Sequence, residues 1–265
     1  MGDMDGDGVI DIAVGADEDS SAGTDEGAVY IHYMNANGSI KSTVKINDAT
    51  ANGPTLSNNM KYGSSVENIG DLDGDEINDM VVGSPGTKSY HKGMVHIHFM
   101  NANGSIKSTV QVDGWNLPGD STWNNWCACY IAFGTAIVNM GDQNNDGVTD
   151  IAVGASMFGY GADRDGNGSL DSRMDKGAVF ILHMKADGSV DDSFIIDDKT
   201  PNGPAIWNSG NQWKGQFGSS LASADIDDDG KLDYSAGTIG AQVLDLSLIH
   251  ISEPTRLGMI SYDVF

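Results

Sequence analysis

Short apolar runs separated by clusters of glycine and aspartate dominate the chain. In residues 9–14, Val-Ile-Asp-Ile-Ala-Val, apolar side chains occupy successive positions rather than every second one. A strand that is packed on both faces loses clean alternation in this way. No stretch shows sustained helical periodicity, and turn-forming residues bound the apolar runs. The pattern therefore predicts an all-β protein of many short strands.

One hairpin sequence recurs along the chain. Residues 34–44, MNANGSIKSTV, return unchanged at 100–110, and a diverged copy, MKADGSVDDSF, occupies 184–194. Each copy follows an apolar strand that begins just after a glycine. We expect each copy to form a β-hairpin, because asparagine-glycine and aspartate-glycine pairs supply the positive φ angles of a tight turn. The three predicted turns lie at Asn37-Gly38, Asn103-Gly104 and Asp187-Gly188.

A second block precedes each hairpin and also opens the chain. It joins an Asp-rich loop to an apolar strand, as in MGDMDGDGVIDIAVGA at residues 1–16. Three of the four blocks follow a strand that starts with an aromatic residue and glycine, at Tyr62, Phe133 and Phe217. One unit therefore has four strands. Four antiparallel strands per repeat are typical of a β-propeller blade, in which the stacking of neighbouring units supplies the core.

The order of aromatic-glycine strand, Asp-rich loop and Val-Gly-Ala strand resembles the FG-GAP repeat. This repeat forms the propellers of integrin α-subunits and of many secreted bacterial surface proteins, and its known members close as seven-bladed rings. The resemblance covers roughly residues 1–245. It implies a β-propeller of four-stranded antiparallel blades, here an open partial arc. We expect four pieces: a partial blade at 1–46, blades at 62–112 and 133–196, and a partial blade at 217–245.

Both ends of the chain depart from the repeat. Met1 aligns with Met140, an internal residue of a repeat, so we expect the chain to start inside a longer protein. After Asp245 the repeat pattern stops. Residues 246–256 resemble a translated sequencing-library adapter, and residues 260–265 are similar to one as well. We therefore expect 246–265 to be a non-native tail, with a diverged terminal strand as the alternative.

The four Asp-rich loops predict metal sites. In register, oxygen-bearing side chains occupy loop positions one, three, five and nine, and position seven would add a backbone carbonyl. Ca²⁺ is a hard cation that takes six to eight oxygen ligands, and a glycine at position six lets the loop curl. The predicted calcium ligands are Asp3, Asp5, Asp7, Val9 and Asp11; Asp71, Asp73, Asp75, Ile77 and Asp79; Asp142, Asn144, Asp146, Val148 and Asp150; and Asp225, Asp227, Asp229, Lys231 and Asp233.

Simple turns are the alternative to metal binding in these loops, because aspartate and glycine also form turns without any ion. Four loops in register before matching strands favour metal binding. The loops are not EF-hands, because valine or alanine stands at position twelve. In the second loop, Glu76 replaces the expected glycine, so its curl should be strained or opened. A weaker fifth candidate, which a solvated turn explains equally well, has the ligands Asp163, Asp165, Asn167, Ser169 and Asp171.

Charge restricts the partners of the protein. The chain has 38 acidic and 14 basic residues, a formal net charge of −24, which repels nucleic acid and anionic membranes. No apolar stretch is long enough to cross a membrane. We expect no nucleic acid, no membrane insertion, and an extracellular or cell-surface location with a protein or glycan ligand. His96 and His98 share one strand face, but they align with Tyr30, His32, Phe180 and Leu182, which indicates packing rather than zinc binding.

Three functional hypotheses remain. The first is a calcium-stabilised, non-catalytic scaffold for adhesion or protein interaction. The second is a lectin-like or accessory propeller of a secreted enzyme that acts on carbohydrate or lipid, which glycan binding through Trp123 or Trp126 would favour. The third is a catalytic propeller, which requires a histidine or carboxylate near the central channel, outside the metal loops. The fold does not decide among them.

Overall fold

Four antiparallel sheets follow one another along the chain. The computed structural model describes residues 1–86, 93–114, 117–118, 131–158, 176–204 and 215–238, and the backbone of two strands at 248–251 and 257–260. The first sheet has three strands: β1 (Ile12–Ala16), β2 (Ala28–Met34) and β3 (Ile40–Ile46). The second has four: β4 (Ser65–Gly70), β5 (Asp79–Ser84), β6 (Met94–Met100) and β7 (Ile106–Asp113).

The third and fourth sheets repeat this plan. The third contains β8 (Phe133–Gly141), β9 (Asp150–Ala155), β10 (Ala178–Met184) and β11 (Val190–Ile196). The fourth contains β12 (Ser220–Ala224), β13 (Asp233–Gly237), β14 (Leu248–Ile251) and β15 (Leu257–Ile260). Its last two strands lie in 246–265, and the interpretation of that segment as a non-native tail stays a prediction.

The topology confirms the predicted fold class. Within each sheet the strands pair in sequence order and antiparallel. The described part of the chain contains no helix, and therefore none that could cross a membrane. The protein is all-β, and its sheets fit an open part of a β-propeller.

The hairpin turns correct one expectation. The glycines have positive φ, 82° at Gly38, 74° at Gly104 and 79° at Gly188, whereas Asn37, Asn103 and Asp187 do not. The Gly38 N–H donates to the Asn35 carbonyl at 2.8 Å, and the Asn37 side chain accepts the Ser39 N–H at 3.0 Å. Each turn is therefore a three-residue loop closed by a left-handed glycine and a bulge. The asparagine contributes its side chain rather than its backbone angle.

The apolar core lies between sheets. Successive residues of β5 point to opposite sides, so Met80 and Val82 pack with the first sheet while Val81 packs with the third. Partners from the first sheet include Val29 and Ile31, and those from the third include Phe133, Ile151 and Val153. A further cluster joins the third and fourth sheets through Val179, Phe217 and Tyr234. Each sheet therefore depends on its neighbours for burial.

Close glycine contacts join consecutive sheets. A Cβ on Gly15 would lie 1.8 Å from the Gly63 carbonyl oxygen, and the same clash would occur at Gly83 with Gly134 (2.0 Å) and at Gly154 with Gly218 (1.9 Å). Parallel bridges between adjacent repeats lie beside these contacts: Gly27 with Tyr62, Gly93 with Phe133 and Gly177 with Phe217. These approaches explain physically why glycine follows the aromatic residue at Gly63, Gly134 and Gly218, and why it recurs in the facing strands at Gly15, Gly83 and Gly154.

Candidate metal centres

The aspartate at position one organises the backbone of each loop. Its Oδ1 accepts the N–H of the position-five residue, at 3.0–3.1 Å in all four loops. Its Oδ2 accepts the N–H of the position-six residue, at 2.7–3.0 Å. Because one carboxylate binds two successive amides, the loop is curled without help from a metal. These residues are Asp3, Asp71, Asp142 and Asp225.

The aspartate at position five closes the end of the loop. Its Oδ1 accepts the N–H of the position-seven residue two places on, at 2.8–3.0 Å. The pairs are Asp7 with Val9, Asp75 with Ile77, Asp146 with Val148, and Asp229 with Lys231. The position-seven residues thus lie in the loop as expected, and their carbonyls as ligands stay a prediction. The Lys231 side chain also reaches the third loop, where its Nζ donates to the Gln143 carbonyl at 2.9 Å.

The aspartate at position nine is buried and joins the loop to the hairpin. Asp11, Asp79, Asp150 and Asp233 are all at most 1% exposed. In each, Oδ2 accepts the position-two N–H at 2.8–2.9 Å. In the first three loops, Oδ1 also accepts the N–H of the methionine that ends the third strand of the unit, at 2.9–3.0 Å.

Burial raises the pKa of the position-nine carboxyl in the second and third loops. Burial raises the pKa of Asp79 to about 6, although the hydrogen bonds from Met100 and Leu72 lower it. Burial also raises the pKa of Asp150. A positive ion beside these carboxylates would oppose that increase.

The position-three aspartates of the first two loops each have one carboxylate oxygen in an unusual environment. Oδ1 of Asp5 and Oδ1 of Asp73 are buried and have no hydrogen-bond partner in the described part of the protein. Their Oδ2 atoms accept from lysines, Lys41 at 2.8 Å and Lys107 at 2.7 Å. A buried carboxylate oxygen without a partner is costly. These two atoms therefore have the chemistry expected of metal ligands.

The third and fourth loops differ from these at position three. Asn144 accepts the Asp146 N–H at 3.0 Å through Oδ1 and donates to Asp146 Oδ2 at 2.8 Å through Nδ2. In the fourth loop, Asp227 Oδ1 accepts the Asp229 N–H at 3.3 Å. The substitution of an amide at position three therefore removes one carboxylate from the third loop and leaves its backbone intact.

Three groups of carboxylates could share an ion. In each, one oxygen per residue lies within 4.8 Å of the others: Asp3, Asp5 and Asp11; Asp71, Asp73 and Asp79; and Asp225, Asp227 and Asp229. Oxygens on opposite sides of a Ca²⁺ ion are separated by roughly 5 Å, given ligand distances of about 2.3–2.6 Å. Among the described residues, the third loop gives no such group of three. Asp7 and Asp75 lie outside the first two groups, and Asp233 lies outside the last.

Glu76 takes the place of the position-six glycine in the second loop. Its φ is 69°, against 84° for Gly8 and 87° for Gly147. Its N–H still donates to Asp71 Oδ2 at 2.7 Å, the same distance as in the first loop. The loop is therefore kept closed with a strained residue, not opened.

Some predicted site residues lie outside the described part of the chain. These are the fifth loop, with Asp163, Asp165, Asn167, Ser169 and Asp171, and the two tryptophans Trp123 and Trp126. His96 and His98 are described, and they are fully buried between the first two sheets, where His98 Nε2 lies 2.8 Å from the Tyr62 hydroxyl. Their position supports packing over metal binding.

Together, these sheets define a class of protein. In the second, third and fourth sheets an Asp-rich loop joins the first two strands, and in the first sheet such a loop precedes β1. Stacked four-stranded sheets with this loop fit part of a β-propeller of the FG-GAP type.

Known proteins point to the same class. Human integrin alpha-11 is 32% identical over 154 residues, which cover 58% of this chain and 12% of the integrin. Chicken integrin alpha-6 is 33% identical over 154 residues, with the same coverages. Mouse integrin alpha-IIb is 31% identical over 191 residues, covering 68% of this chain and 15% of the integrin. The chain thus spans a small part of these relatives. No protein-family model matches it.

Two features of the site were not predicted from the sequence. The first is the pair of lysines that contact positions three and five. The second is the cross-link from position nine to the hairpin. Lys41 and Lys107 occupy the same place in the repeated eleven residues, while Asp191 stands there in the third unit. The unit that has Asp191 in this place also has Asn144 at position three, whereas the two units with lysine have aspartate there. This joint change is the signal in the sequence that points to the lysines.

Proposed function

We propose that the four Asp-rich loops bind Ca²⁺, one ion each, through the position-one, -three, -five and -nine side chains and the position-seven carbonyl. All the candidate side-chain donors are oxygens, which suits a hard cation and disfavours Zn²⁺ or Cu²⁺. Calcium tolerates irregular geometry, whereas Mg²⁺ demands a small, near-octahedral shell. In this proposal, calcium is a structural ion that fixes the loop to the blade.

One observation carries the proposal. Oδ1 of Asp5 and Oδ1 of Asp73 are buried without a hydrogen-bond partner among the described residues, in loops whose backbone is already fixed by position one. Both aspartates belong to groups whose carboxylate oxygens lie within 4.8 Å of one another. Grouping carboxylates in this way is repulsive, and the single positive charge of Lys41 or Lys107 offsets only part of that repulsion. A bound divalent ion would offset the repulsion and give the two buried oxygens a partner.

Thermal unfolding tests the calcium proposal. The metal-free chain should melt at a higher temperature in about 5 mM CaCl₂ than in an equal concentration of MgCl₂. With dissociation constants of about 10⁻⁴–10⁻³ M, linkage predicts roughly 1–2 kcal/mol of stabilisation per site. Equal melting temperatures in the two salts would contradict the proposal.

We further propose that the chain is part of a non-catalytic, extracellular or cell-surface propeller for adhesion or protein interaction. The similarity to integrin α-chains supports this. The partner would be an extracellular protein or a glycan. Blades at 62–112 and 133–196, flanked by partial blades at 1–46 and 217–245, are the proposed structural units. Binding of the immobilised chain to a panel of matrix proteins and glycans, with EDTA as control, tests this function; no calcium-dependent binding to any of them would contradict it.

A further inference from the structure

Two lysines contact the metal loops from the outer side. Lys41 Nζ lies 2.8 Å from Asp5 Oδ2 and 2.7 Å from Asp7 Oδ2. Lys107 Nζ lies 2.7 Å from both Asp73 Oδ2 and Asp75 Oδ2. The lysine side chains are 43% and 42% exposed, whereas Asp5 and Asp73 are 21% exposed. The same arrangement therefore occurs twice, with each lysine approaching from solvent.

The ammonium groups bind only one oxygen of each carboxylate. The Oδ2 atoms face the lysine, while Oδ1 of Asp5 and Asp73 is buried and, within the described part of the chain, without a hydrogen-bond partner. Oδ1 of Asp7 and of Asp75 accepts a loop N–H at 3.0 Å. Each lysine thus fixes two adjacent carboxylates and leaves the inner oxygen of position three available.

In the third loop an asparagine, rather than a lysine, donates the hydrogen bond to the position-five carboxylate. Its position-three residue, Asn144, donates from Nδ2 to Asp146 Oδ2 at 2.8 Å. The residue in the place of Lys41 is Asp191, which instead pairs with Lys185 at 2.7 Å. In the first three units, lysine at this place on the hairpin therefore accompanies aspartate at position three, and its absence accompanies asparagine. In both cases a nitrogen donor holds the outer oxygen of position five.

We infer that Lys41 and Lys107 are positioning residues for calcium in the first and second loops. This inference rests on the proposed calcium binding. Outer-shell partners orient metal ligands, and their removal typically weakens metal binding about 10- to 100-fold. An ammonium group that instead competed with the ion would have the opposite effect, because its removal would strengthen binding. The sign of the change therefore separates the two roles.

Calorimetric titration of the full chain with CaCl₂ tests the inference. In the double variant Lys41→Met, Lys107→Met we expect two of the calcium sites to bind at least about 10-fold more weakly and the remaining sites to be unchanged. Lys41→Arg with Lys107→Arg should retain binding within about threefold, since a guanidinium can donate to both carboxylates. Lys185→Met is the matched control: like each of the two methionine substitutions, it removes one paired positive charge from a hairpin, but Lys185 pairs with Asp191 rather than with a metal loop.

The outcomes are distinct. Unchanged or stronger binding in the methionine variant overturns the inference, and so does an equal loss in Lys185→Met, which would reveal a general charge effect. Failure of the unaltered chain to bind calcium is a different result, because it refutes the proposed function itself. Circular dichroism of each metal-free variant verifies that the blades remain folded, so that a loss of affinity is not a loss of structure.

Discussion

The sequence Asp-Ile-Ala-Val-Gly-Ala occurs twice, at residues 11–16 and 150–155, and the two copies differ in burial. Ile151 and Val153 are fully buried, whereas Ile12 is 47% and Val14 is 45% exposed. Both copies form strands, but β9 lies between β8 and β10, while β1 pairs only with β2 among the described residues. In β9, the face that carries Ile151 and Val153 packs on the second sheet. Local sequence therefore sets the strand, and the neighbouring sheet sets its burial.

The largest expected effect comes from replacing the isoleucine of this hexapeptide by alanine, in each copy separately. Ile151→Ala should lower the free energy of unfolding by about 4 kcal/mol, because it opens a cavity between two sheets. Ile12→Ala, in an identical hexapeptide, should cost less than about 1 kcal/mol. Urea denaturation of each variant measures the difference. Equal losses would break the comparison, since they would mean that the local sequence decides stability.

A second contrast separates the second and third sheets. His96 and His98 are buried where the third sheet has Phe180 and Leu182. Burial lowers the pKa of His96 to about 3, and it lowers that of His98 as well, with the charge of His96 adding to the effect. Unfolded histidines bind protons as pH falls through about 6.5, and the buried rings do not. The part of the folding stability that depends on these neutral rings is therefore fully present above about pH 6.5 and is lost as pH falls below it.

The expected loss at about pH 5.5 is about 1.4 kcal/mol for each of the two histidines. The variant Tyr62→Phe, His96→Phe, His98→Leu gives the second sheet the residues of the third and should lose less stability over this range. Denaturation curves at about pH 7.5 and about pH 5.5 compare it with the unaltered chain. A matching pH dependence in the two proteins would show that the buried histidines are not responsible.

A third contrast concerns the residue two places before the third strand of the unit. Lys176 pairs with Asp198 in the third unit, but the first unit has Glu26 and Asp48 at these places. Glu26 is 8% exposed, and its Oε2 is buried without a hydrogen-bond partner among the residues that the structure describes. Burial raises the pKa of Glu26, and the charge of Asp48 raises it further.

Glu26→Lys should therefore stabilise the chain by about 1.5 kcal/mol, because it removes an unsatisfied buried oxygen and a like-charge contact. Lys176→Glu, the reverse change in the third unit, should destabilise it. Thermal unfolding at neutral pH measures both. Destabilisation by Glu26→Lys would indicate that the two units do not use this position in the same way.

The smallest expected effect is at position six of the metal loops. Glu76→Gly should stabilise the metal-free chain by about 0.5 kcal/mol, since relief of the left-handed conformation slightly exceeds the added entropy of unfolded glycine. Gly147→Ala is the matched control and should cost about 1 kcal/mol, because a Cβ there meets nothing within 4 Å and only the backbone is affected. If Gly147→Ala instead stabilised the chain, a non-glycine residue at position six would not be strained, which would contradict the prediction.

The sequence was sufficient for the strands of the repeats and for the four-stranded unit, because repeats reveal a register that a single copy hides. It did not reveal that Ile12 and Ile151 differ, since burial depends on which sheet lies opposite. It also did not identify the contacts of Lys41, because this residue lies in β3, far along the chain from the loop carboxylates Asp5 and Asp7. The hairpin turn was only partly predicted, because the Asn37 side chain and backbone can each stabilise a turn.

Equilibrium dialysis against radioactive Ca²⁺ tests the central claim most directly, since it counts the ions bound to the metal-free chain. We predict saturable binding in the range of about 10⁻⁴–10⁻³ M, and the loss of two ions in the variant Asp5→Ala, Asp73→Ala. That variant removes both oxygens of each position-three side chain, whereas Asn144 of the third loop keeps one. Saturable binding with an unchanged number of ions in the variant, or no binding by the folded unaltered chain, would contradict the account.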